Sequence, residues 1–111
     1  MDPYYYPTFV TSVYDGDTIT CNINCGFGVE LKKQKIRLFG LNAPEVRGEG
    51  KENGIVSRDR LREKILNKDI MLKTIKDKKG KYGRYLGILF IDNENVNDWL
   101  IENDLALKAE Y

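Results

Sequence analysis

Thr18, Thr20, Asn22 and Asn24 alternate strictly with Ile19, Cys21, Ile23 and Cys25, and no other feature of this chain restricts its fold as much. A period of two gathers the apolar members on one face, which is the pattern of a half-buried strand and not of a helix. The same pattern accounts for both cysteines as small core residues. On an extended segment they stand roughly 13 Å apart, out of disulfide reach, so free thiols are expected. Before this strand, residues 9–14 are rich in β-formers and end at Asp15-Gly16-Asp17, a turn composition that joins two strands as a hairpin. After it, Gly26-Phe27-Gly28 turns the chain into a third strand over residues 29–41. The first third therefore reads as a three-stranded meander.

Residues 42–53 are polar, with Pro44, Gly48 and Gly50, and read as a surface loop. A helix fits residues 54–67, where Leu61 and Ile65 are one turn apart, Leu66 lies beside them, and Glu63 and Lys64 face water. A fourth strand over residues 70–75 leads into a charged, glycine-containing connection over residues 76–82. Residues 85–91 are apolar on both faces, as in an interior strand. A second helix starts near Asn95, with Val96, Trp99 and Leu100 on one face. The order βββαββα predicts a mainly β chain with helices (α+β), a five-stranded, partly open Greek-key barrel of the OB type with two helices. With 111 residues there is chain for one core; residues 8–111 are taken as that domain and residues 1–7 as a loose arm.

Composition narrows the chemistry. The chain has no histidine and two cysteines, which excludes a Ser-His-Asp triad, an imidazole base and a structural zinc site. Catalysis would fall to carboxylates, Arg, Lys, Tyr or a metal held through oxygen. With 18 Lys+Arg against 17 Asp+Glu the formal net charge is +1, so any contact with phosphates must be local. The N-terminus MDPYYYPTFV has no basic n-region and no apolar h-region, and no apolar run approaches ~18 residues. The expectation is a protein of the cell interior that does not engage a membrane.

Three clusters place charge where folding has no need of it: Asp15-Gly16-Asp17-Thr18 on a tight turn, Arg37-Leu38-Phe39-Gly40-Leu41-Asn42-Ala43-Pro44-Glu45 across a strand end, and Lys81-Tyr82-Gly83-Arg84 at the start of a strand. Singly, each has a plain structural reading: a common turn, a surface ion pair worth ~0–1 kcal/mol, a solvated turn. Together and in this order, over residues 9–106, they resemble the staphylococcal nuclease (thermonuclease) family, whose motifs are Asp-Gly-Asp-Thr, an Arg-hydrophobic run ending in Asp-x-Pro-Glu, and Lys-Tyr-Gly-Arg. The helix beginning Val96-Asn97 and the following Leu105-Ala106 also resemble later segments of that family.

The resemblance implies an OB-type barrel and a Ca²⁺-dependent endonuclease that hydrolyses DNA and RNA without base specificity and leaves 3′-phosphate ends, acting as a monomer. It implies Asp17, the Asn42 side chain and the Ala43 backbone carbonyl as Ca²⁺ ligands, hard oxygens of the kind this ion takes. Glu45 would orient or deprotonate the attacking water, and Arg37 and Arg84 would grip the scissile phosphate through planar, permanently charged forks. Lys81 and Tyr82 would hold a neighbouring phosphate and line the nucleotide pocket, with Asp15 and Tyr111 as further candidates. Two departures accompany the match. Asn42 stands where the family usually has aspartate, which removes one negative charge and implies weaker Ca²⁺ binding. The chain also stops soon after Leu105-Ala106, where family domains commonly continue into another helix. The competing reading is an OB-type module that binds nucleic acid or protein and cuts weakly or not at all.

Overall fold

The computed structural model describes residues 4–79 and 85–109. The expected meander is present as β1 (Tyr5–Asp15), β2 (Thr18–Gly26) and β3 (Val29–Leu38), each antiparallel to the next. The chain then passes through β4 (Leu41–Asn42), an irregular stretch over residues 43–50, α1 (Lys51–Ile65), β5 (Asp69–Lys79), β6 (Tyr85–Ile91), β7 (Glu94–Asn95), α2 (Val96–Glu102) and β8 (Leu107–Lys108). The sheet order is β3-β2-β1-β5-β6-β7, and β6 also pairs in parallel with β3, Ile36 against Tyr85 and Leu38 against Gly87. That last pairing closes five strands into the barrel expected from the element order, and closure removes the open edges a flat sheet would carry.

The alternation that fixed β2 is visible in its burial: Ile19 and Cys21 are fully buried and Ile23 nearly so. They join Val10, Val13, Ile36, Leu38, Leu72 and Leu89 inside the barrel, with Leu61 and Ile65 of α1 and Leu100 of α2 sealing the core. Each such aliphatic side chain contributes about 1.5–3 kcal/mol on burial. Both cysteines are free, and burial pushes the Cys21 thiol up to about 12, which leaves it an inert core group. Among the described residues no helix is long and apolar enough to cross a membrane.

Several boundaries differ from those expected, each for a local reason. Tyr5–Phe9 are paired residue for residue with Lys73–Asp69 of β5, so the described part of the expected arm is the first half of a barrel strand. α1 starts three residues early, at Lys51 after Gly50, with the Gly54 N–H already bonded to the Gly50 carbonyl at 3.0 Å. The polar character of Lys51, Glu52 and Asn53 hid a first turn in which an acidic residue suits the positive end of the helix. The helix stops at Ile65 because Leu66 is extended and Asn67 adopts a left-handed conformation (φ 59°) that Asn tolerates. β5 runs on to Lys79, into the segment expected as a connection. Lys64 lies 4.3 Å from the centre of the Trp99 ring and pairs with Glu94 at 2.5 Å, so it bridges α1 and α2 instead of facing water.

The third strand ends at Leu38, and after the Phe39-Gly40 turn its expected last residue, Leu41, forms β4 with Asn42, paired with β8. Two-residue pairings such as this one carry no periodic signal in a sequence. This one matters for the site, because it brings the chain back so that Asn42 lies against Arg37.

Candidate functional site

Asp15 and Asp17 flank the tip of the β1–β2 hairpin, where Asp15 pairs with Thr18. The Asp17 N–H donates to Asp15 Oδ1 at 3.0 Å, so the first side chain itself shapes the turn. Gly16 is required there: a Cβ at this position would stand 2.7 Å from the Ala43 Cβ and 2.9 Å from the Ser57 Cβ. The turn is thus pressed against both the post-β4 segment and α1. Ser57, itself buried, donates from Oγ to the Leu105 carbonyl at 2.6 Å, and the Arg62 guanidinium donates twice to the Val13 carbonyl, at 3.2 and 3.0 Å. These two side chains seat α1 beneath the acidic turn.

Both carboxylates are buried, each about 8% exposed. Asp17 Oδ2 accepts the Ala43 N–H at 2.9 Å and pairs with Arg37 Nη1 at 3.2 Å, and Oδ1 accepts from the Thr18 hydroxyl at 3.1 Å. Arg37 is as buried as its partner. Its Nη2 donates to Asn42 Oδ1 at 2.5 Å, while Nη1 also reaches the carbonyls of Asp17 at 3.5 Å and Leu38 at 3.4 Å. A buried arginine with this many acceptors is held by charge-assisted hydrogen bonds, and removing one member of such a pair typically costs about 3–5 kcal/mol. Asp15 receives no comparable compensation. Burial, then hydrogen bonding to Asp17 and its charge, push the Asp15 carboxyl up to about 7, against a smaller opposing pull from the Asp17 backbone and Arg37.

Glu45 stands apart from this network. Its side chain is exposed on the stretch over residues 43–50, and its position is set through its backbone. Gly54, in the first turn of α1, lies so close to the Glu45 carbonyl that a Cβ would overlap it, and would also meet the Pro44 carbonyl at 2.9 Å. A second buried polar side chain ties the region together from behind. Asn97 of α2 accepts from the Leu89 N–H at 3.1 Å and donates to the carbonyls of Phe39 at 3.0 Å and Gly87 at 3.1 Å. It therefore fixes the turn that delivers β4.

Of the residues expected at the site, the structure brings Asp15, Asp17, Arg37, Asn42 and Ala43 into one contact network, with Glu45 two residues beyond it. Arg84, Lys81, Tyr82 and Tyr111 lie outside the described residues. Ser57, Arg62, Gly54 and Asn97 were not anticipated as supports. Of these only Asn97 left a trace, in the Val96-Asn97 start of α2.

The oxygens present suit a hard cation in type. Asp17 Oδ2 and Asn42 Oδ1 already converge on a single cationic group, the Arg37 guanidinium, and oxygens of this kind are what Ca²⁺ takes. The set is lean, however. Among the described residues no three acidic or cysteine side chains cluster closely enough to hold a metal by themselves, so an amide and backbone oxygens would have to complete any coordination. At Ala43 the contact present is made by the N–H, on Asp17.

Comparison with known proteins agrees with this arrangement. Residues 35–111 match the family model described as Staphylococcal nuclease homologue. A relative named Thermonuclease, from Staphylococcus hyicus, is 30% identical over 109 residues, an alignment covering 92% of this chain and 59% of that protein. This chain thus spans less than two thirds of the relative's length. A match over most of the chain, on a closed five-stranded barrel that carries the Asp-Gly-Asp-Thr turn against the end of the Arg37 strand, places the protein in the staphylococcal nuclease family.

Proposed function

We propose that this protein is a Ca²⁺-dependent phosphodiesterase that hydrolyses DNA and RNA without base specificity and leaves 3′-phosphate ends. The observation that carries the reading is the convergence of Asp17, Arg37, Asn42 and Ala43, from the hairpin tip, the end of β3 and β4, at one end of the barrel. Folding alone does not call for a buried carboxylate and a buried arginine to meet there, with an exposed amide closing on the arginine from β4.

In this reading Asp17, the Asn42 side chain and the Ala43 carbonyl would hold Ca²⁺, and the bound ion would supply positive charge to the phosphate as negative charge grows on it. Glu45 takes a proton from the attacking water; in a chain without histidine an exposed carboxylate beside the cation position is the natural base. Arg37 contributes a fixed positive fork to the transferring phosphate, and Arg84 a second. A guanidinium remains charged at any working pH, so both arginines act by charge and not by giving up a proton. Lys81 and Tyr82 hold the neighbouring nucleotide, with stacking on Tyr82 worth about 1–3 kcal/mol per base.

The test is incubation of the purified protein with single-stranded DNA and RNA in Ca²⁺, in Mg²⁺ or Mn²⁺, and in chelator, followed by analysis of the product ends. The expected result is Ca²⁺-dependent cleavage leaving 3′-phosphates, lost in Arg84→Ala. One observation favours a second reading, a module that binds without cutting: the lean acidic set with Asn42 at its centre. Folded protein that retains nucleic acid but yields no product in any metal would decide for it.

A further inference from the structure

We infer that Arg37 competes for the cation position: its guanidinium is held on Asp17 Oδ2 and Asn42 Oδ1, the two side-chain oxygens that would hold the ion, so that ion binding and the release of Arg37 toward substrate are a single exchange. The inference rests on the Ca²⁺ reading above. Its basis is geometric. One planar fork spans both oxygens, at 3.2 Å from Nη1 and 2.5 Å from Nη2, while the carbonyls of Asp17 and Leu38 hold Nη1 from behind. The side chains of Arg37 and Asp17 are 9% and 11% exposed, while Asn42 is exposed, so the guanidinium is buried on its Asp17 side and capped by Asn42 on the other. An ion on these oxygens would meet the guanidinium charge at close range and compete with its N–H groups for the same lone pairs, and in this conformation both terminal nitrogens of Arg37 are engaged on Asp17 and Asn42.

The asparagine tilts the exchange. A neutral amide oxygen still accepts well from a guanidinium, but to a divalent ion it offers one charge less than a carboxylate would. The ion's apparent affinity is therefore lowered by the small fraction of molecules in which Arg37 has already left. By linkage, whatever draws Arg37 outward, an anionic phosphate above all, strengthens ion binding by the same factor that the ion strengthens substrate binding. Arg37 thereby makes the site cation-competent mainly when substrate is present.

The experiment is a calorimetric titration with Ca²⁺ alone, without nucleic acid, on the wild type and on Arg37→Lys, accompanied by NMR of the arginine guanidinium groups of the wild type. Lysine keeps the positive charge but is a point charge that cannot span two oxygens, so tighter binding by this variant cannot come from lost repulsion. The expected result is Ca²⁺ binding at least about fivefold tighter in Arg37→Lys. The wild-type spectrum should contain a slowly exchanging Arg37 guanidinium that loses this protection as Ca²⁺ is added, a readout that needs no variant to fold. If wild type and variant bind Ca²⁺ equally and the Arg37 resonance does not respond, the exchange is overturned and the nuclease reading stands. If neither protein binds millimolar Ca²⁺, the Ca²⁺ reading falls and the exchange with it.

Discussion

Asp17 and Arg37 are sealed into the end of the barrel by hydrogen bonds to Ala43, Thr18, Asn42 and two carbonyls, whereas Glu45, only two residues past Ala43, is exposed and, among the described residues, placed by the packing of its own backbone on Gly54. The first side of the site is a buried charge network whose geometry survives because leaving any member unpaired is costly. The second is a loop residue positioned by close approach between backbones. The contrast fits the parts proposed for them. A cation position needs converging, immobile oxygens, and a base that exchanges protons with water needs access to solvent.

The sharpest way to break this comparison is to change the exposed side without touching the buried one. In Glu45→Gln the shape is kept and the proton acceptor lost, so kcat on single-stranded DNA in Ca²⁺ should fall about 10²–10⁴-fold while KM and Ca²⁺ binding stay near wild type. Steady-state kinetics check this, and an unchanged kcat would remove Glu45 from the role of base. Gly54→Ala attacks the same residue from behind. Alanine is about 1 kcal/mol better than glycine in a helix, so without a clash the variant would melt higher. Because the new Cβ meets the Glu45 and Pro44 carbonyls, a lower melting temperature is expected, with kcat reduced about 10²-fold by displacement of the carboxylate. A higher melting temperature with full activity would mean that the loop yields freely and that backbone packing does not place Glu45.

On the buried side the next effect is one of stability and pH. Asp15 is held up to about 7, by burial first and by its neighbour Asp17 second. The folded protein therefore keeps a proton that the unfolded chain releases near pH 4, and the unfolded state binds fewer protons throughout that window. Stability accordingly falls as pH rises from about 4 to about 7 and stays lowered above it. Asp15→Asn removes the penalty. The variant should match the wild type near pH 3.5 and exceed it in stability at pH 8, the gap opening between about pH 4 and about pH 7. Urea unfolding across pH 3.5–8 would show this, and parallel curves for the two proteins would contradict it.

The two sides also differed in how far the sequence revealed them. The barrel was legible because Ile19, Cys21 and Ile23 alternate and because β6 is apolar on both faces, both direct records of burial. Asp15, Asp17, Arg37 and Asn42 were legible as charge or amide in places where strands and turns do not ask for it. What brings them together was not. The pairing of β4 with β8 spans two residues on each strand, too short to leave a period. Gly16 and Gly54 matter for what a Cβ would strike, and those neighbours are distant in sequence. Ser57 and Asn97 act through hydrogen bonds to carbonyls 48 and 58 residues away, and a sequence shows the donor but not the acceptor. The seating of Arg37 between Asp17 and Asn42 falls in the same class. Its residues were all expected at the site, yet as an arginine facing phosphate and two ligands facing a metal, not as one another's partners.

Asn42 is where the two sides can be compared with the smallest change. Asn42→Asp alters one atom and adds one negative charge to the oxygens that now hold Arg37. The added charge strengthens the hold on the guanidinium, but it attracts a divalent ion about twice as strongly as a monovalent group at equal distance. The balance therefore moves toward the ion. The Ca²⁺ concentration for half-maximal cleavage should drop by about tenfold, the equivalent of about 1.4 kcal/mol, while kcat at saturating Ca²⁺ stays close to wild type because Glu45 is untouched. A Ca²⁺ titration of initial rates measures both quantities. An unmoved midpoint would show that the side chain at position 42 does not hold the ion. A lowered kcat at saturation would show that the charge network reaches across to the exposed carboxylate, and that the two sides are not independent.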